Sequence, residues 1–217
     1  VDKNMKFISN VAKAGLTEFN IGDDIGGLDP ESFCRAYDLK TLTINSQNIY
    51  ISGDTFDECY NLECIKGPGA TADGRGYVGT GFPLFQGSSE NLKFLIFAGK
   101  GISEYEVGNY CQEIGSGAFA YKPDLKKIKF DDSIIRLGNE MFWGSHKLEE
   151  VTLPAQLKYI GINAVTDCPN LKSVYLRSVL PPELERYGTN VDNIFDDVGV
   201  LGNLKIYVPE SSVSLYR

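Results

Sequence analysis

Leucines spaced 23 residues apart constrain this chain of 217 residues more than any other feature. Marking each leucine followed three residues later by an apolar residue gives LTEFNI at Leu16, LKTLTI at Leu39, LECIKG at Leu62, LKFLIF at Leu92, LKKIKF at Leu125, LEEVTL at Leu148, LKSVYL at Leu171 and a shortened LKIYV at Leu204. The intervals are 23, 23, 30, 33, 23, 23 and 33, which reads as a base unit of 23 with insertions of 7, 10 and 10. A period of this length marks stacked supersecondary units, none of which can bury its apolar face alone.

The rest of the unit repeats too. Leu137, Gly138 and Phe142 lie twelve, thirteen and seventeen residues after Leu125, and Ile160, Gly161 and Val165 fall at the same offsets in the next unit. Leu28 with Phe33, and Ile51 with Phe56, match them earlier, as do Ile114, Gly115 and Phe119 counted back from Leu125. Three positions before a leading leucine the residue is small: Ala36, Cys59, Ser145, Cys168. An apolar anchor followed by two alternating apolar residues has the period of a short strand with one buried face. Strands this short need neighbours, so the pattern predicts a parallel ladder with rungs about 4.8 Å apart, eight of which span roughly 35 Å. The later apolar group closes the other wall of each coil.

The unit resembles the leucine-rich repeats of the BspA-like family of bacterial surface proteins, whose units read L-x-x-Φ-x-L-P, then I-x-x-I-G-x-x-A-F, then C-x-x-L. LEEVTLPAQLKYIGINAVTDCPNL carries it most fully, through Leu153, Pro154, Ile160, Gly161, Ala164, Cys168 and Leu171, and EIGSGAFAYKPDL matches its second half. The ending LKIYVPESSVSLYR is similar to that family's terminal unit, a short strand and a proline leading into a small capping helix. The resemblance implies an α/β repeat: a right-handed leucine-rich-repeat solenoid with a parallel strand ladder of about 7–8 units and short helical, 3-10 or irregular segments opposite. It implies one domain over 1–217, with 1–15 as an N-terminal cap using Phe7, Ile8 and Val11, repeats over 16–203, and a terminal unit and C-terminal cap over 204–217. It further implies a secreted or cell-surface bacterial protein. The pattern departs from the family where Gly67 stands in place of an inward apolar residue, and in the glycine-rich segment after it.

Catalytic constellations find little support. GRGYVGTG holds Gly74, Gly76 and Gly79 at the G-x-G-x-x-G spacing, but a dinucleotide site needs a strand before it and a helix after it, and TGFPLF disfavours helix. These residues are expected to form a loop within an insertion. The one histidine, His146, sits in a GSHKL turn without a partner for nucleophilic catalysis. The doublets Asp23/Asp24, Asp131/Asp132 and Asp196/Asp197 read as solvated turns rather than a glycosidase pair. The five cysteines, Cys34, Cys59, Cys64, Cys111 and Cys168, contain no C-x-x-C; Cys59 and Cys168 read as buried packing residues. No catalytic residue, cofactor or metal ligand is assigned. A net charge of -8 argues against nucleic acid as a partner. No apolar run reaches the roughly 18 residues of a membrane span, and the first fifteen residues have no leader-like apolar block.

The remaining surface is the outward strand face, two and four residues after each leading leucine. It reads Glu18 and Asn20, Thr41 and Thr43, Cys64 and Lys66, Phe94 and Ile96, Lys127 and Lys129, Glu150 and Thr152, Ser173 and Tyr175. Phe94 and Ile96 form an apolar pair flanked by Lys66, Lys127 and Lys129; with Tyr175 these make the candidate partner-binding patch. The insertions folding over Phe94 and Ile96 is the bland alternative. The expected function is a non-catalytic module recognising an extracellular protein or glycan through the strand face and insertion loops. The alternatives are a carbohydrate-active enzyme with paired carboxylates, or a structural spacer presenting another domain.

Overall fold

The computed structural model describes residues 6–46, 49–51, 55–56, 58–66, 76–79, 83–88, 91–97, 101–109, 111–185 and 203–216, with the backbone alone at 50, 64, 66 and in the strands between 76 and 97. The chain divides into two compact units, Val1–Lys100 and Gly101–Arg217. Both are built by the same rule.

In the first unit the strands are β1 (Lys6–Ile8), β2 (Glu18–Ile21), β3 (Ile25–Leu28), β4 (Thr41–Ile44), β5 (Tyr50–Ile51), β6 (Cys64–Lys66), β7 (Gly76–Gly79), β8 (Pro83–Ser88) and β9 (Asn91–Phe97). β2, β4 and β6 form a parallel ladder in which Glu18, Thr41 and Cys64 share one rung position. β1, β3 and β5 make a second parallel wall. Between the walls lie the repeat's apolar positions, with Leu28, Phe33, Leu39, Leu42 and Ile65 fully buried.

The second unit continues with β10 (Glu104–Val107), β11 (Glu113–Ile114), β12 (Lys127–Phe130), β13 (Arg136–Leu137), β14 (Glu150–Leu153), β15 (Tyr159–Ile160), β16 (Ser173–Leu176), β17 (Glu183–Leu184) and β18 (Lys205–Tyr207), then a 3-10 turn at Glu210–Ser212. The ladder β10-β12-β14-β16-β18 is parallel throughout, and β11, β13, β15 and β17 line the other wall in the same order. Leu125, Leu137, Phe142, Leu148, Ile160, Val165 and Leu171 are all buried, as their offsets require. The chain is thus a β-solenoid of leucine-rich-repeat type with eight described ladder strands, three in one unit and five in the other.

Among the described residues the side opposite the ladder is made of turns rather than α-helices, for a reason visible in the backbone. Gly117, Glu140 and Asn163 have φ of 63°, 51° and 53°, and Tyr121, Gly144 and Asp167 have φ of 53°, 69° and 54°. Within each set the residues stand 23 apart from coil to coil, so each of these coils makes two left-handed bends too close together to leave room for a helix. The turn amides bond to the next coil instead: Phe119 N–H donates to the Met141 carbonyl at 2.9 Å, and Phe142 N–H to that of Ala164 at 3.2 Å.

Two expectations of strand register are corrected. The run at Leu92 does form a strand, β9, but its register-defined partner is β8, antiparallel, and β8 in turn pairs antiparallel with β7. The rung before β12 is β10, which places Ile102 in the leading position, 23 residues before Leu125. Gly101 opens this coil as Gly15 opens the first: φ is 79° and 70°, and the two amides donate to Asp124 and Asp38 at 3.0 and 2.9 Å. An alternating apolar run specifies a strand but not its partner, and Leu92 belongs to a hairpin meander inserted between coils. In the same way Lys205 pairs with Ser173, so Asn203 rather than Leu204 holds the leading place of the last rung. That shift of one residue turns Tyr207 to the outward face.

The GRGYVGTG segment is likewise not a loop where it is described: Gly76–Gly79 is β7, running antiparallel into β8. An antiparallel strand where a dinucleotide site needs a helix leaves no dipole-bearing helix start for a pyrophosphate.

Candidate binding face

Each outward position of the second ladder follows from the alternation of burial. β12 reads exposed, buried, exposed, buried along KIKF, which sends Ile128 and Phe130 inward and Lys127 and Lys129 outward. Stacking the rungs in register turns the outward residues into two columns. One runs Glu104, Lys127, Glu150, Ser173, Lys205; the other runs Glu106, Lys129, Thr152, Tyr175, Tyr207.

At the β10 end the columns are charged and paired. Lys127 Nζ lies 3.3 Å from Glu104 and Lys129 Nζ 2.8 Å from Glu106. The hydrogen bond to Glu104, followed by the charges of Glu104 and Glu150, raises the Lys127 ammonium above its ordinary range. These side chains, with Thr152 and the edges of Tyr105 and Ile128, line a cleft of about 430 Å³. At the β18 end the face becomes aromatic: the Tyr175 and Tyr207 rings stack with centroids 4.6 Å apart and planes 9° apart.

Of the residues proposed from sequence, Lys127, Lys129 and Tyr175 share this face. Lys66 lies in β6 of the other unit, opposite Thr43, while Phe94 and Ile96 lie in β9 opposite Phe85 and Leu84. The side chains of Lys66, Phe94 and Ile96 fall outside the described residues, so covering of the apolar pair by the insertions does too. On the ladder, the neighbours of Lys127 and Lys129 are Glu104 and Glu106, not Phe94 and Ile96. Glu104, Glu106 and Tyr207 complete the face beyond the residues expected from sequence. The signals were present: counting 23 back from Leu125 reaches Ile102, and aligning KIYV with SVYL sets Tyr207 on Tyr175.

The other chemical groups are occupied in shaping turns or holding neighbouring coils together. Asp131 accepts from Ser133 N–H at 2.9 Å, which lowers its carboxyl below the usual range; Asp132 accepts from Ala155 N–H at 2.7 Å and pairs with Arg177 at 3.0 Å. Asp24 pairs with Lys6, while Asp196 and Asp197 fall outside the described residues. The exposed His146 Nε2 sits 3.2 Å from Asp167. Cys59 and Cys168 are buried, each with its Sγ directed at a carbonyl of the neighbouring coil, Phe33 at 3.2 Å and Phe142 at 3.4 Å. Burial pushes the Cys168 thiol up to about 12, far from a nucleophile's range. Glu58 gathers Arg35 at 2.9 Å, Tyr60 at 3.1 Å and Tyr37 at 3.2 Å. Among the described residues there is no cluster of three or more metal-ligating side chains, and no helix long and apolar enough to cross a membrane.

Three solved structures share this arrangement. A leucine rich cell surface protein of Faecalibacterium prausnitzii is 15% identical, covering 93% of this chain and 62% of its own, with a TM-score of 0.58. The pneumococcal vaccine antigen PcpA is 17% identical over 91% of this chain and 58% of its own, also at 0.58. A leucine-rich repeat protein of Eubacterium ventriosum is 15% identical over 76% and 62%, at 0.50. The chain therefore spans less than two-thirds of the length of each. At these identities the likeness establishes the fold alone. A comparison with curated protein sequences gives no match. The model of the BspA type leucine rich repeat region matches six copies over residues 6–73 and 90–191, most of the sequence. Carrying that repeat in both its units, the chain belongs to the BspA-type leucine-rich repeat family.

Proposed function

We propose that this chain is a non-catalytic binding module of a secreted or cell-surface bacterial protein, recognising a protein or glycan through the outward strand face. The observation that carries the reading is the continuous face of β10 to β18, where a charged cleft passes into a stacked tyrosine pair. Extended faces of stacked strands are the usual binding surfaces of solenoids, since they present many side chains on a rigid frame at little entropic cost. The bacterial leucine-rich surface-protein relatives support the location.

A carbohydrate-active enzyme would need two carboxylates in a cleft, and Glu104, Glu106 and Glu150 do line one. Glu104 and Glu106, however, each lie against a lysine ammonium, at 3.3 and 2.8 Å, which occupies two of the three carboxylates. That pairing favours recognition over hydrolysis.

The test is an array of glycans and extracellular-matrix proteins probed with the wild-type chain, Lys129→Glu, Tyr175→Ala and, as an off-face control, Lys158→Glu. Each face variant should weaken a positive signal about tenfold while the control retains it. Phe94→Ala, run alongside, reports separately on β9 as part of the same surface. Face variants that bind as wild type would remove this placement, and an empty array would favour the spacer.

A further inference from the structure

The last described rung of the ladder carries an exposed tyrosine and a lysine on one face. Among the described residues β18 is the last strand of its sheet, and Tyr207 stacks there on Tyr175 with ring centroids 4.6 Å apart. Tyr207 is 43% exposed. Two residues away on the same face stands Lys205, whose ladder neighbour is Ser173. The other lysines of the face, Lys127 and Lys129, each have a glutamate across the ladder, whereas Lys205 makes no ion pair among the described residues. A partly exposed aromatic ring beside a lysine that makes no ion pair among the described residues, with Ser173 opposite that lysine on the neighbouring rung, is a surface suited to recognition.

We propose that Tyr207, Lys205 and Ser173 form a subsite for an acidic sugar, a deepening that rests on the binding-module reading above. The C–H face of a pyranose packs on the exposed part of the Tyr207 ring, and the sugar's carboxylate pairs with the Lys205 ammonium. Residues two apart on a strand are about 6.6 Å apart, the scale of one sugar ring with its carboxylate. The net charge of -8 opposes long-range attraction of polyanions, so binding rests on contact and suits a short oligosaccharide. Addition of an extended peptide strand at the same edge is disfavoured by the edge itself: β18 has only three residues, carries Lys205, and is followed by Pro209.

The experiment titrates the full chain with trigalacturonate and with neutral maltotriose, read by calorimetry and by saturation-transfer NMR. Trigalacturonate should bind at least about fivefold tighter than maltotriose, a gap that Lys205→Gln removes and Lys205→Arg retains. Tyr207→Ala should weaken both sugars about tenfold and Tyr207→Phe leave them within about twofold, with thermal melts confirming that the variants are folded. Equal binding of the two sugars, unchanged binding by Tyr207→Ala, or competition by tripolyphosphate as strong as by trigalacturonate would each overturn the subsite. If neither sugar binds while the array yields a protein ligand sensitive to Lys129→Glu, the subsite falls and the binding module stands.

Discussion

Single positions in this fold carry costs that the repeat makes easy to read, because each has a counterpart one coil away. Glu140 holds φ at 51° where the flanking coils place Gly117 and Asn163. A left-handed conformation costs an ordinary residue roughly 1–2 kcal/mol, and asparagine much of that less. Glu140→Asn should therefore stabilise the protein by up to about 1 kcal/mol in denaturant titration. Ser32 makes a different concession. Its buried hydroxyl has no hydrogen-bond partner among the described residues, at the offset where Ala118 and Ala164 sit in the second unit. Ser32→Ala removes an unsatisfied group and leaves only a small void, so stability should hold or rise by about 1 kcal/mol. A loss above that range would reveal a partner for the hydroxyl. Both residues were legible as repeat positions, but their backbone angle and missing partner were not, since neither is a property of residue type.

At the scale of one rung, the coils approach so closely that some positions have no room for a side chain. A Cβ on Gly138 would meet the Gly115 carbonyl carbon at 2.5 Å and Ser116 N at 2.4 Å. These are backbone atoms and cannot swing aside, so Gly138→Ala should cost about 1–3 kcal/mol and lower the melting temperature. The recurrence of Gly115, Gly138 and Gly161 was visible in the sequence; only the contact distances show why glycine is needed. The strand at Leu92 shows the opposite limit. Its alternation announced a strand correctly, yet alternation is a property of one segment while pairing is a property of two, and β8 rather than the ladder took it. The candidate face follows from that pairing: the rung beside Lys127 and Lys129 is β10, whose Glu104 and Glu106 form ion pairs with them.

Across a whole unit, each coil contacts chiefly its neighbours, so damage spreads by adjacency. Leu148 is fully buried between β12 and β16 coils, and Leu148→Ala should cost about 2–5 kcal/mol through lost burial and a cavity. Hydrogen exchange should show protection falling in β12 and β16 as well as in β14, whereas Glu150→Ala, on the outward face, should change stability by less than about 0.5 kcal/mol. Confinement of the loss to β14 would mean the coils open independently. What the sequence by itself determined was the period, the inward and outward alternation, and hence the solenoid and the kind of surface it offers, because burial pattern is written locally in every unit. What only the tertiary structure decided was which segments became neighbouring rungs. That choice set the charge partners of Lys127 and Lys129 and stacked Tyr207 on Tyr175, since strand pairing depends on distant residues meeting, and one residue of register reverses every side chain on a strand.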